Sequence, residues 1–183
     1  MKIIKTKLPQ VLIIEPQVHK DSRGFFMEMY REDPYREAGV TLPFVQDNVS
    51  ASGNQVLRGL HYQLKRPQGK LLSVLRGKMR DVIVDLRRNS PQFGEWMSVE
   101  LSADNNRQVY IPPGMAHGYC TLSDEVLVHY KCTAYYDPQD EYAVLWSDPE
   151  IGVDWSLTGE PLVSAKDAAA PLLKDIPREK LPQ

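Results

Sequence analysis

Two of the four histidines stand among residues that could do chemistry. His61 lies in the run Val56-Leu57-Arg58-Gly59-Leu60-His61-Tyr62-Gln63, and Gly69-Lys70 follows soon after. Cations beside an imidazole favour its neutral form, which suits it to accept a proton near pH 7. Strict strand alternation puts Arg58 and His61 on opposite faces. Both line one cavity only if Gly59 bulges or twists the strand. His117 follows Ile111-Pro112-Pro113-Gly114-Met115-Ala116, a rigid turn able to fix a polar group at the start of a strand. His19 belongs to a charged turn and should be solvated. His129 stands on the strand face opposite Tyr130 and reads as a surface or packing histidine.

A metal site needs a third ligand beside two histidines, commonly a close His pair with a carboxylate. Positions 59 and 63 are Gly and Gln, so His61 has no His-x-His partner. Neither a Gly-x-x-x-x-Gly-Lys-Ser/Thr loop nor a Gly-x-Gly-x-x-Gly turn is present to cradle a phosphate. An anion could instead meet Arg23, Arg58 and Lys70, each of which is otherwise an ordinary solvated cation.

These residues have to be held by short strands. Glu95–Leu101 places Met97, Val99 and Leu101 on one face, and Glu125–Thr133 places Val126, Val128, Tyr130 and Cys132 on one face. Met79–Leu86 is a third alternating run, in which Arg80, Val82, Val84 and Leu86 share a parity. Further strands are expected at Val11–Glu15, Phe25–Tyr30, Val56–Leu64, Leu71–Leu75, Arg107–Ile111 and Gly118–Leu122, separated by Gly, Pro, Asn and Asp turns. One short helix is expected over Asp33–Gly39, with Asp33 as N-cap and Pro34 at the first position, and another near Lys166–Ala170. The pattern predicts an all-β fold, a jelly-roll β-sandwich or barrel with a few short helices. The 183 residues suggest a single domain, residues 1–183, with an N-terminal arm over about 1–10 and an irregular Pro- and Asp-rich tail over about 148–183 lying on the sandwich or over its mouth.

Composition narrows the partners. Lys plus Arg (22) against Asp plus Glu (24) gives a net charge of −2, which argues against nucleic acid or an anionic membrane as a partner. Cys120 and Cys132 cannot form a disulfide framework and suit a reducing compartment. Lys2, Lys5 and Lys7 precede only four apolar residues, Val11 to Ile14, short of the ~7–15 of a secretory core or the ~20 of a membrane span. The expectation is a soluble cytoplasmic protein.

A series of motifs then runs in order along roughly residues 3 to 173. It begins with Asp21-x-Arg23-Gly24-x-Phe26-x-Glu28, Gln46-Asp47-Asn48-x-Ser50 and Arg58-Gly59-Leu60-His61-Tyr62-Gln63. Gly69-Lys70-Leu71, Asp81-x-x-x-Asp85-x-Arg87, Ser90-Pro91-x-Phe93-Gly94 and Leu101-Ser102-Ala103-x-Asn105 follow. Ile111-Pro112-x-Gly114-x-Ala116-His117-Gly118, Tyr130-Lys131, Tyr135-Tyr136, Asp148-Pro149 and Ser164-x-Lys166-Asp167 complete it. The chain resembles the dTDP-4-dehydrorhamnose 3,5-epimerases. The resemblance implies a cupin-type jelly roll, a homodimer, and neither a metal nor a redox cofactor. It implies a dTDP-4-dehydro-6-deoxy-D-glucose substrate and a dTDP-4-dehydro-L-rhamnose product.

By the same resemblance, His61 is the base, Asp167 its carboxylate partner, Tyr130 the acid, and Lys70 the cation near the C4 ketone oxygen. Arg23, Phe26, Glu28, Gln46, Asn48, Arg58, His117, Tyr136 and Glu141 line the nucleotide-sugar site. These types suit the reaction, since one group removes a proton next to a ketone while another returns one to the opposite face. Two departures stand out: Tyr142 occupies a position where a basic residue is expected, and the segment between Gln63 and Gly69 is short. Relatives that epimerise only C3 or only C5 share most of these motifs. A non-catalytic sugar-binding cupin and a metal-dependent cupin are the more distant alternatives.

Overall fold

A computed structural model describes residues 1–183. Its larger sheet has six antiparallel strands in the order β1 (Lys2–Lys5), β2 (Leu12–Glu15), β10 (Gln108–Ile111), β7 (Lys70–Arg76), β12 (Glu125–Cys132) and β5 (Gln46–Gly53). The second sheet runs β13 (Glu141–Ala143), β6 (Leu57–Gln63), β11 (Met115–Thr121), β8 (Lys78–Asp85) and β9 (Trp96–Ser102). A separate hairpin joins β3 (Val18–Asp21) to β4 (Gly24–Met27). The fold is all-β, as the alternation predicts. No helix is long and apolar enough to cross a membrane.

The two sheets pack face to face. Leu72, Val74, Val126 and Val128 of the larger sheet meet Met79, Ile83, Val99 and Leu101 of the smaller. The outer face of the smaller sheet is covered as well: Leu60, Tyr62, Val82 and Val84 pack against Trp155, Leu173 and Ile176 of the C-terminal tail. Side chains of this size contribute about 1.5–3 kcal/mol each when buried, so together they hold the tail firmly to the sheet. On the larger sheet, Leu12, Ile14, Leu71 and Tyr110 pack against Tyr35 and Val40 around the short helix α1 (Glu32–Glu37). β8 is therefore apolar on both faces, with Met79 and Ile83 inside and Val82 and Val84 beneath the tail.

Several elements differ from the sequence expectation. Arg31, not Asp33, is the N-cap of α1 and makes no side-chain cap bond. Asp33 sits in the first turn, where its charge still favours the exposed amides. Pro34, the third residue of the helix, is tolerated because the first N–H groups of a helix have no internal partner. The initial residues supply an edge strand, β1, paired with β2. His19 lies in strand β3 rather than in a turn, and is exposed. Strands β1, β3, β5 and β13 were not expected. β5 reads Gln-Asp-Asn-Val-Ser-Ala-Ser-Gly and carries almost no apolar signal.

Candidate active site

The site begins with a bulge. His61 pairs with His117 across β6 and β11, while Arg58 pairs with Tyr119, so β6 carries one more residue than β11 between the two pairs. The extra residue reverses the parity and turns both Arg58 and His61 inward. Gly59 occupies the bulge at φ +124°, and a Cβ there would stand 2.4 Å from Gly118 Cα. The Gly59–Leu60 peptide is cis.

Between the sheets lies a cavity of about 740 Å³, a size suited to a small molecule. One wall is β5, β7 and β12, which present Gln46, Asn48, Lys70 and Tyr130. The opposite wall is β6 and β11, with Arg58, His61 and His117. The tail closes one side with Ser164, Lys166 and Asp167.

Asp167 stands in α2 (Ala165–Ala168), and its backbone N–H donates to the capping Ser164 Oγ at 3.0 Å. Its carboxylate meets His61 Nε2 at 2.5 Å. Burial raises the Asp167 carboxyl, but His61, Ser164 and the Gly59 amide together outweigh it and hold it below the ordinary carboxylate range. An anion there accepts the Nε2 proton and leaves Nδ1 as the lone-pair nitrogen. Glu141 Oε1 lies 4.0 Å from Nδ1. Burial raises the Glu141 carboxyl too, yet ion pairing with Lys166, the Tyr136 hydroxyl at 2.9 Å and His61 bring it below its usual value.

His117 Nε2 bonds to Asp81 Oδ2 at 2.7 Å in the sheet interior. Burial pushes the Asp81 carboxyl up and the His117 imidazole down. Each histidine thus has its own aspartate. Lys70 projects from the start of β7 into the same buried region. Burial lowers its ammonium pKa, partly offset by Cys132, Asp81 and Glu141. Tyr130 shares its face of β12 with Val128 and Cys132, and burial raises its phenol. Gln46 and Asn48 bond to one another at 2.8 Å, and Gln46 Oε1 accepts the Tyr136 N–H at 2.8 Å. A proton acceptor, a phenol and an ammonium on the walls of one cavity can remove and return a proton next to a carbonyl.

His61, Tyr130, Asp167, Lys70, Gln46, Asn48, Arg58, His117, Tyr136 and Glu141 are brought together. Arg23, Phe26 and Glu28 are not. Arg23 sits at the β3–β4 turn, paired with Asp21 at 2.6 Å. Phe26 is 70% exposed, and Glu28 pairs with Arg31 at 2.6 Å. The hairpin pairs only with itself, so no sheet carries these three into the cavity of their own chain.

Sequence reasoning overlooked Lys166, Tyr119, Ser50 and Gln68 as wall residues. For Ser50 the signal was the period-two polar series Gln46, Asn48, Ser50, Ser52. For Lys166 it was the neighbouring Asp167. The two departures lie apart from the chemistry. Tyr142 stacks on Tyr62 with ring centroids 5.6 Å apart, on the apolar side of β6. The short 64–69 segment is ordered by Asp140, whose carboxylate accepts the Lys65 N–H at 2.8 Å and the Arg66 N–H at 2.9 Å.

A family model described as dTDP-4-dehydrorhamnose 3,5-epimerase matches residues 5–175. The enzyme of that name from Salmonella typhimurium is 51% identical over 175 residues, covering 94% of this chain and 96% of the relative. Among solved structures, the dTDP-6-deoxy-D-glucose-3,5-epimerase of Legionella pneumophila, in complex with dTDP-4-keto-L-rhamnose, superposes with a TM-score of 0.97 at 49% identity. That match covers 100% of this chain and 97% of the other. A 3'-monoepimerase of Streptomyces bikiniensis, in complex with dTDP-quinovose, has a TM-score of 0.92 at 35% identity, covering 97% of this chain and 91% of its own.

Proposed function

The chain belongs to the dTDP-4-dehydrorhamnose 3,5-epimerase family, and from that premise we propose that it converts dTDP-4-dehydro-6-deoxy-D-glucose to dTDP-4-dehydro-L-rhamnose by inverting C3 and C5. The observation that carries this reading is the His61–Asp167 pair, at 2.5 Å, in the same cavity as Tyr130 and Lys70.

His61 Nδ1 takes the proton from the carbon next to the C4 ketone. Asp167 holds the ring and stabilises the imidazolium that forms. The electron pair moves to the ketone oxygen, and the Lys70 ammonium stabilises the enolate in a site partly closed to water. One such stabilising group is typically worth about 100–1000-fold in rate. Tyr130 returns a proton from the other wall, so the carbon inverts. General acid–base assistance of this kind contributes about 100–10,000-fold. Arg58 meets the diphosphate, and Gln46, Asn48, Tyr136, His117 and Glu141 orient the rest of the nucleotide sugar. Binding energy from those remote groups sets the sugar against the base and the acid.

The working unit is a homodimer. This accounts for Arg23, Phe26 and Glu28, which meet substrate only if the hairpin of one copy reaches the cavity mouth of another. Phe25 and Phe26 of that hairpin and Val49 of edge strand β5 are all more than 60% exposed, which suits a surface covered by a second copy. The whole chain acts as one domain in the cytoplasm, where the buried thiols Cys120 and Cys132 stay reduced. No cofactor is needed, so turnover should survive exhaustive chelation.

The test is turnover of dTDP-4-dehydro-6-deoxy-D-glucose in D2O, followed by proton NMR. Deuterium should enter at both C3 and C5. Label at C3 alone would make the protein a monoepimerase, and label at neither carbon would leave a binding protein.

A further inference from the structure

Arg58 and a tyrosine the mechanism does not use are linked across the cavity rim. Tyr119 stands opposite Arg58 in the smaller sheet, and its ring crosses to β5 of the larger sheet. The hydroxyl meets Ser52 Oγ at 3.1 Å and Ser50 Oγ at 3.2 Å. Tyr119 and Ser52 are each only 6% exposed. Arg58 Nε donates to the same Ser52 Oγ at 3.1 Å, and Arg58 Nη2 donates to Ala51 O at 3.3 Å.

Arg58 Nε–H donates to Ser52 Oγ, and the Tyr119 hydroxyl shares one hydrogen bond with Ser52 and one with Ser50, in each of which either oxygen can donate. A guanidinium loses much rotamer freedom when it binds an anion. Here two of its nitrogens are already held by β5, while the remaining N–H groups stay free beside the cavity.

We infer that Tyr119, acting through Ser52, is a positioning residue that pre-aligns Arg58 for the diphosphate of the substrate. The inference rests on the functional reading above, because it requires Arg58 to meet a diphosphate. Replacing Tyr119 by Phe keeps the ring that fills this part of the sandwich and removes only the hydroxyl. The Ser52 hydroxyl then loses its Tyr119 partner and is free to reorient beside Arg58.

The experiment compares wild type, Tyr119→Phe, Ser52→Ala and the double variant for binding of dTDP and of thymidine, by NMR titration, and for KM and kcat. Losing one hydrogen bond of this kind should weaken dTDP about 3–10-fold. Thymidine, which lacks the diphosphate, should bind all four proteins alike. KM for the sugar nucleotide should rise more than kcat falls. Ser52→Ala should match Tyr119→Phe, and the double variant should be no worse than either single one. Wild-type dTDP affinity in Tyr119→Phe would overturn the inference alone. So would an equal loss for thymidine, which would mark a general loosening between the sheets. Wild-type protein that does not bind dTDP at all would overturn the functional reading and this inference with it.

Discussion

Replacing Gly59 by Ala tests whether the β6 bulge sets the active-site geometry. At φ +124° an L side chain is strained, which costs about 1–3 kcal/mol. The new Cβ would stand 2.4 Å from Gly118 Cα and 2.9 Å from His117 O. Both are backbone atoms, so no rotamer change relieves the contact. Ordinary contact begins at 3.4 Å, so the two strands must part by about 1 Å. Overpacking of this kind adds about 1–3 kcal/mol. The total destabilisation is then about 2–6 kcal/mol, to be read as a lower midpoint in urea unfolding. A shift of 1 Å between His61 and its substrate is sufficient to cost about 100-fold in rate. Folded Gly59→Ala protein should therefore lose about that much kcat/KM. Gly53→Ala is the matched control, since a Cβ there meets nothing within 4 Å; it should stay within about 0.5 kcal/mol of wild type. If Gly59→Ala tracked the Gly53→Ala control in both assays, the bulge would not be what aligns Arg58 and His61.

Three further outcomes are expected. Asp167→Asn keeps the shape of the pair but removes the charge that steadies the imidazolium. It should lower kcat about 100–10,000-fold with little change in dTDP affinity, measured by steady-state rates and titration. Burial lowers the Lys70 ammonium pKa while it raises the Tyr130 phenol. The alkaline limb of kcat should accordingly fall at a pH below the ordinary lysine value, and the same limb should persist for solvent exchange in Tyr130→Phe. A limb that vanished in that variant would assign it to the phenol. Burial raises the Asp85 carboxyl, but Arg87 and Ser90 outweigh it and hold it below its ordinary value. Its stabilisation is therefore fully present above the unfolded-state pKa and is lost as pH falls through the lower folded value. Asp85→Asn should flatten the acid side of the stability–pH curve obtained from thermal unfolding.

The strands that pack an apolar face were legible from alternation. β12 shows this best: Val126 and Val128 build the interior, and the same parity carries Tyr130 into the cavity. β8 was legible as a strand, but its burial on both faces depends on the tail, which has no periodicity of its own. β5 escaped notice for a functional reason. Its inward residues Gln46, Asn48 and Ser50 line the cavity, so the apolar period that marks a strand is missing. The α1 cap differs from the sequence expectation because Asp33 carries a capping side chain two residues after the true N-cap, Arg31. In the site, His61 and Arg58 were visible, and so was the demand placed on Gly59, because one residue of parity had to be absorbed between them. His61 and Asp167 are 106 positions apart, and only the resemblance to a known family linked them ahead of the fold. The hairpin carrying Arg23, Phe26 and Glu28 pairs within itself alone, and no local pattern tells which surface it meets.

Solvent deuterium exchange in paired variants is the most direct trial of the central claim, an imidazole base and a phenol acid on opposite walls. His61→Ala should stop deuterium entry at both carbons. Tyr130→Phe should still exchange, while forming much less of the inverted product than wild type. Exchange at the wild-type rate without the imidazole would contradict the account.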